Sequence, residues 1–470
     1  MDYSKTVNLP VTDFPMRANL PQKEPAIAKK WQDEKIYEQI LKSREGAKTY
    51  ILHDGPPYAN GHIHVGHALN KILKDIIVKH KTMLGFKSPY VPGWDCHGLP
   101  IELLVTKELG DKAKEMSKVD IRSKCRESAE KYSGIQSDEF KRLGVFGDYE
   151  HPYKTMTPDY EARIVEVFGE ILKKGYINRN KKPIYWCPTC VTALAEAEVE
   201  YDMHTSTSIY VKFPVDASSI KFGGDINKTF VVIWTTTPWT IPANLGVSFH
   251  PDFEYLSYKF GDEYLILAKG LLEQFEATTG LKHSEAIELT SADIKGLHVR
   301  HPFIDRESKV LLGNHVTLEQ GTGIVHTAPG HGHDDYIIGL ANGLEVYCPV
   351  DDEGKYTSDF PEMKGVHVFK ADPLVVELLK NKNALIHTGK IEHSYPHCWR
   401  CKKPLIFRAT EQWFFSMEHD NLRKVGSKAV DETEWVPSWG ETRFRSMVET
   451  RPDWCLSRQR SWGVPIPSFK

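Results

Sequence analysis

The residues best placed to do chemistry fall into a few tight groups. Cys187-Pro-Thr-Cys190 and Cys398-Trp-Arg-Cys401 are C-x-x-C knuckles, each able to offer two thiolates to one side of a tetrahedral ion. His64 and His67 flank Gly66. On a helix that spacing puts both imidazoles on one face, and the glycine removes a side chain that would block close backbone approach. Thr235, Thr236 and Thr237 follow the apolar run Phe230-Val-Val-Ile-Trp234, and Gly321 to Asp335 mixes glycines with imidazoles and acids.

Each group needs elements to hold it. Thr49–His53 predicts a short buried strand, residues 54–61 a loop rich in breakers, and His64 to about His80 a helix with Ala68, Leu69, Ile72, Leu73, Ile76 and Ile77 at helical spacing and Gly85 as its stop. Strand, glycine loop and helix in that order aim backbone N–H groups and a helix dipole at a phosphate. Two imidazole donors there suit a reaction that develops negative charge on a phosphoryl group as pyrophosphate leaves. The plain alternative is a helix carrying two surface histidines. For the cysteines, the alternatives to one structural zinc are a redox pair or unrelated buried thiols. If both knuckles share one ion, the chain leaves near residue 191 and returns near 397, so the intervening stretch is an inserted domain, β-rich by its strand-like runs.

Composition permits these readings without choosing among them. A length of 470 residues predicts several domains, and 40% hydrophobic with 26% charged residues is globular. No apolar run reaches the roughly 20 residues that cross a bilayer, and the N-terminus lacks the layout of a signal or transit peptide. A cytoplasmic protein without membrane contact is expected. The net charge of −3 leaves room for a local basic patch.

Gly55-Pro-Pro-Tyr-Ala-Asn-Gly61, His64-Val-Gly-His67 and Gly93-Trp-Asp-Cys-His-Gly-Leu-Pro-Ile-Glu102 together resemble the first half of the Rossmann catalytic domain of class I aminoacyl-tRNA synthetases, in the form found in the isoleucine enzymes. The resemblance implies an α/β fold interrupted by a zinc-ribbon stem and a β-rich editing domain. It implies that Gly61, His64, Gly66 and His67 meet ATP, which arrives with Mg2+, that Asp95 holds the substrate ammonium, and that Gly55 and Pro56 line the aminoacyl pocket. By the same resemblance, Cys187, Cys190, Cys398 and Cys401 hold Zn2+. Thr235, Thr236 and Thr237 would hold the ester end and adenosine of mischarged tRNA, with Asn244 and His326 beside them and Asp335 on the ammonium of the wrong amino acid. Threonine-rich strand ends are also ordinary β-structure, and His331, His333 and Asp334 allow a rival reading as a metal triad. An editing site has a physical reason, of which isoleucine against valine is the standard illustration: one missing methylene is worth only about 1–3 kcal/mol.

The implied organisation is an N-terminal arm at 1–45, the first catalytic half at 46–155, a stem at 156–199, the editing domain at 200–390, the returning stem at 391–440, and the start of the second catalytic half at 441–470. The expected partners are tRNA(Ile), isoleucine and ATP, with the chain a monomer. Because the family's K-M-S-K-S loop and anticodon-binding region are not found in it, the chain is expected to be a fragment, slow in activation alone. Lys114-Glu-Met-Ser-Lys118 has similar letters in the wrong place. Alternatives are a free-standing editing hydrolase and a non-catalytic tRNA-binding module.

Overall fold

Residues 65–83 form the helix on which the paired histidines depend, and its buried face is the reverse of what its apolar spacing predicts. The structure is a computed structural model that describes residues 3–8, 12–13, 17–223, 225 and 228–468; Met1, Asp2 and Lys470 of the terminal readings lie outside these. The chain divides into two compact units, Met1–Glu170 with Arg460–Lys470, and Ile171–Gln459.

In the first unit the helix runs Val65–Met83, about one turn past the expected end, and Gly85 follows at φ +93. Its buried residues are Lys71 and Val78, whereas Leu69, Leu73 and Ile76 are exposed. The cause is Asp54, whose fully buried carboxylate pairs with Lys71 and, at 2.7 Å, with Lys74. Asp54 also accepts from Gly93 N at 3.2 Å, and its carbonyl accepts from Tyr153 Oη at 2.7 Å. Burial alone would raise the Asp54 carboxyl, but the two lysines hold it below the ordinary range. A cation buried over an acid therefore decides which face turns inward. Asp54→Asn or Lys71→Met leaves the partner charge buried and should cost about 3–5 kcal/mol in denaturant unfolding. A loss too small to measure would show the pair to be dispensable.

The expected buried strand at Thr49–His53 is not found. The segment is extended, but its one bridge joins Thr49 to Lys87, and Ile51 is 71% exposed. Among the described residues its backbone hydrogen bonds go to the segment around Lys87 alone, and a parallel strand is covered only when neighbours flank it. The long helix Lys118–Arg142 packs beside Leu99–Leu109. Ser117, within the lysine-loop look-alike, accepts from Asp120 N at 3.2 Å and caps this helix, which explains the motif locally.

The second unit is β-rich. A six-stranded sheet has the order Glu285–Leu289, Tyr255–Phe260, Glu263–Ala268, Thr229–Thr235, Val199–Pro214, Leu385–Cys398. Lys309–Leu312, Gly246–Phe249 and Ile324–Thr327 make a three-stranded sheet, and Ile406–Phe415 pairs with Ile177–Cys187 in a four-stranded one. The core between them includes Ile209, Val211, Val231, Ile233, Val247 and Phe249. These alternate along their strands as one inward face requires. Among the described residues no helix is long and apolar enough to cross a membrane.

Candidate functional site

Both cysteine knuckles fold alike. In each, a strand ends on the first cysteine, and the residue after the second cysteine, Val191 or Lys402, takes a left-handed conformation at φ +51 or +58. Backbone N–H of Cys190 donates to Cys187 Sγ at 3.3 Å. All four sulfurs lie within 4.8 Å of one another, with Cys187 and Cys401 Sγ 3.5 Å apart, which fits the edge of a tetrahedron built on a Zn–S bond of about 2.3 Å. The set is closed, with no position left for water, so a metal here holds the fold together and does no chemistry. Metal analysis should find one zinc per chain, and Cys398→Ser should lose it with a drop in the unfolding midpoint. The alternative of a second metal on His331, His333 and Asp334 finds no support in the fold. The structure does not bring that triad together: His331 is buried and bonded to the Phe407 carbonyl, while His333 and Asp334 are exposed.

In the first unit His64 is the N-cap of its helix and not, as the spacing suggests, a member of the first turn. His64 Nδ1 accepts from Gly66 N at 3.0 Å, and His67 Nδ1 accepts from His64 N at 3.3 Å. With both Nδ1 atoms accepting, the ring protons sit on Nε2, and two N–H donors are left for a ligand. The rings stack at 3.9 Å. A Cβ on Gly66 would meet the His64 ring at 2.9 Å, so this position needs glycine. Burial, then His64 and Lys71, push the His67 imidazole down and keep it neutral.

Asp95 is half-buried and joined by its backbone to the Gly55–Gly61 loop: Asp95 N donates to the Pro57 carbonyl at 2.9 Å and Ala59 N to the Asp95 carbonyl at 3.0 Å. Pro56 lies half-buried and Gly55 exposed in the same loop. The Asp95 carboxylate accepts from His97 N at 3.2 Å and from Thr155, yet burial still raises it. It has no ion pair among the described residues. Sequence reasoning missed the residue that ties this region together. Gln136, fully buried, donates to the Tyr58 and Gly61 carbonyls at 3.0 and 2.7 Å and accepts from Trp94 Nε1 at 3.0 Å. A glutamine in a charged helix carries no motif, so only the fold shows it. A cavity of about 440 Å3 lined by Trp31, Tyr37, Phe146 and Tyr149 contains none of these site residues.

In the second unit the strand Ile324–Thr327 packs beside Thr229–Thr235. That contact assembles a chain of hydroxyls: Thr235 Oγ1 to Thr237 Oγ1 at 3.1 Å, Thr237 to Thr240 at 3.3 Å, and Thr240 to His326 Nε2 at 3.0 Å. Thr240, also missed in the sequence, donates to the Thr237 carbonyl at 2.8 Å, so His326 Nε2 must donate to it. Burial pushes the His326 imidazole down to about 4, and it stays neutral. Thr236 is half-buried and stands outside this chain. The Asn244 amide donates to the Gly246 carbonyl at 2.7 Å and accepts from Ser308 at 2.6 Å. Asp335 lies in the first turn of the helix His333–Ala341 and accepts from Ala328 N at 2.8 Å. Burial, and Asp334 beside it, push its carboxyl up to about 7. It too has no ion pair among the described residues.

Residues 26–470 match the sequence model of the tRNA synthetases class I (I, L, M and V). The isoleucine–tRNA ligase of Brachyspira hyodysenteriae is 56% identical, covering 100% of this chain and 51% of its own length. Those of Thermotoga neapolitana and Fervidobacterium nodosum are 54% and 55% identical, with 100% of this chain and 51% of each relative covered. The chain thus spans about half the length of the curated relatives it matches. With a family match over nearly its whole length and relatives of this kind, the chain belongs to the class I aminoacyl-tRNA synthetases of the isoleucine, leucine, methionine and valine group.

Proposed function

We propose that this chain carries two amino-acid sites of an isoleucine–tRNA ligase, one for activation in the first unit and one for hydrolytic editing in the second. The observation that supports it best is a matched pair. Asp95 and Asp335 are recessed carboxylates, each raised chiefly by burial and neither in an ion pair among the described residues. An unpaired acid held in such a place is stabilised by an incoming ammonium, the group shared by free isoleucine and by a misattached aminoacyl ester.

In activation, Asp95 takes the ammonium while Gly55 and Pro56 border the side chain. ATP, brought with Mg2+, lays its phosphates at Gly61 and Gly66 and the helix N-terminus, where the Nε2–H donors of His64 and His67 meet them. The isoleucine carboxylate attacks the α-phosphorus, pyrophosphate leaves, and the developing charge falls to those donors. Transfer to the terminal ribose of tRNA(Ile) follows. In editing, the hydroxyls of Thr235, Thr236 and Thr237 hold the ester end and adenosine of Val-tRNA(Ile), Asn244 and His326 keep that wall in place, and Asp335 fixes the valine ammonium. Zn2+ on the four cysteines is structural. The protein acts as a monomer.

The test is isoleucine-dependent exchange of pyrophosphate into ATP by the full-length protein. Exchange supported by isoleucine well above leucine or methionine is expected. A preference for either of these would refute the assignment.

A further inference from the structure

Trp462 stands 366 residues beyond Cys96 in the chain, yet it belongs to the same compact unit and is 2% exposed there. It meets the segment that follows Asp95 at three points. Its indole Nε1 donates to the Cys96 carbonyl at 2.6 Å, its backbone N–H donates to the Glu102 carboxylate at 2.8 Å, and its carbonyl accepts from Gly98 N at 3.3 Å. The ring itself is held in place. His97 meets it edge-on with 4.9 Å between centroids, and the Arg122 guanidinium lies over it at 5.4 Å. Arg122 Nη1 also donates to the carbonyls on either side, Ser461 at 2.6 Å and Gly463 at 2.9 Å.

One of these bonds bears on the acid directly. The Cys96 carbonyl and the His97 N–H are the two polar groups of one planar trans peptide, which points them to opposite sides. Trp462 takes the carbonyl, and the N–H donates to the Asp95 carboxylate at 3.2 Å. The preceding peptide is fixed as well, by Ala59 N on the Asp95 carbonyl at 3.0 Å and by Thr155 Oγ1, which accepts from Cys96 N at 2.8 Å. A peptide that accepts at its carbonyl is polarised into a better donor at its N–H. Loss of the indole bond would therefore free this peptide to rotate and weaken the backbone donor that aims Asp95.

We propose that Trp462 is a positioning residue for isoleucine: through the Cys96–His97 peptide it sets where the Asp95 carboxylate stands, and so how well the protein captures the amino-acid ammonium. The inference rests on the reading of Asp95 as the ammonium site. A tryptophan that only filled the core could give way to another large ring. Here the working group is the indole N–H, which phenylalanine lacks.

Isoleucine-dependent pyrophosphate exchange by the full-length protein is compared for the wild type, Trp462→Phe, Asp95→Ala and the double variant. Trp462→Phe keeps a ring and removes the donor. It should raise the KM for isoleucine by about five- to tenfold, the worth of one hydrogen bond, and leave the KM for ATP unchanged. In the Asp95→Ala background the same substitution should cost nothing further, because its effect passes through that carboxylate. If Trp462→Phe does not fold, Arg122→Gln, which drops the bonds to the Ser461 and Gly463 carbonyls, should raise the isoleucine KM in the same way. An isoleucine KM indifferent to Trp462→Phe, equal rises for both substrates, or a loss that multiplies with that of Asp95→Ala would overturn the role of Trp462 and leave that of Asp95 standing. An isoleucine KM indifferent to Asp95→Ala would instead remove the ammonium site, and the positioning role with it.

Discussion

Asp335→Ala is expected to slow release of valine from Val-tRNA(Ile) by at least about a hundredfold, the loss that follows when a buried charge partner is removed. The reasoning rests on what surrounds the carboxylate. Asp335 receives the backbone N–H of Ala328 and makes no ion pair among the described residues, and burial outweighs the opposing influence of His331. Its proton affinity is therefore raised to about 7, whereas a bound ammonium would favour the ionised form. The sign follows: the free protein holds more of the competent carboxylate as pH rises, so kcat/KM for deacylation should fall as pH drops through about 7. Asp335→Asn should remove that dependence along with the activity. A wild-type profile flat from weakly acid to weakly basic pH would show that this acid does not titrate in the reaction.

Asp95→Ala should have a comparable or larger effect on activation. In the full-length protein, isoleucine-dependent pyrophosphate exchange should fall by about a hundred- to several-thousandfold, as for loss of a buried ion-pair partner worth about 3–5 kcal/mol. Most of this should appear as a raised KM for isoleucine, with the KM for ATP little changed, because Asp95 is joined by backbone bonds to the Gly55–Gly61 loop whereas His64 and His67 sit on the helix end. Equal losses for both substrates would mean that Asp95 holds the loop and not the ammonium.

How far the sequence could be read depended on how local each constraint is. The knuckles were legible because a C-x-x-C turn is made within itself, and a residue in the left-handed conformation closes each. The signature helix was legible from periodicity, yet its inward face was not. The rule that the apolar stripe is buried assumes that nothing stronger competes, and here Asp54 draws Lys71 and Lys74 inward while Leu69, Leu73 and Ile76 stay outside. Thr240 and Gln136 were hidden because their partners are distant in sequence. Thr240 reaches His326, and Gln136 spans from its helix to the Tyr58 and Gly61 carbonyls. Asn244 sits in a motif-like run, and only the packing of Ser308 against it shows that its amide is committed to the scaffold.

Release of valine from Val-tRNA(Ile) by this 470-residue chain, set beside release of isoleucine from Ile-tRNA(Ile), is the most direct measurement of the central claim that each unit carries its own ammonium-binding acid. The prediction is valine release well above the spontaneous rate, isoleucine spared, and Asp335→Ala inactive while Asp95→Ala deacylates like the wild type. Equal hydrolysis of both esters, or dependence on Asp95 as strong as on Asp335, would contradict it.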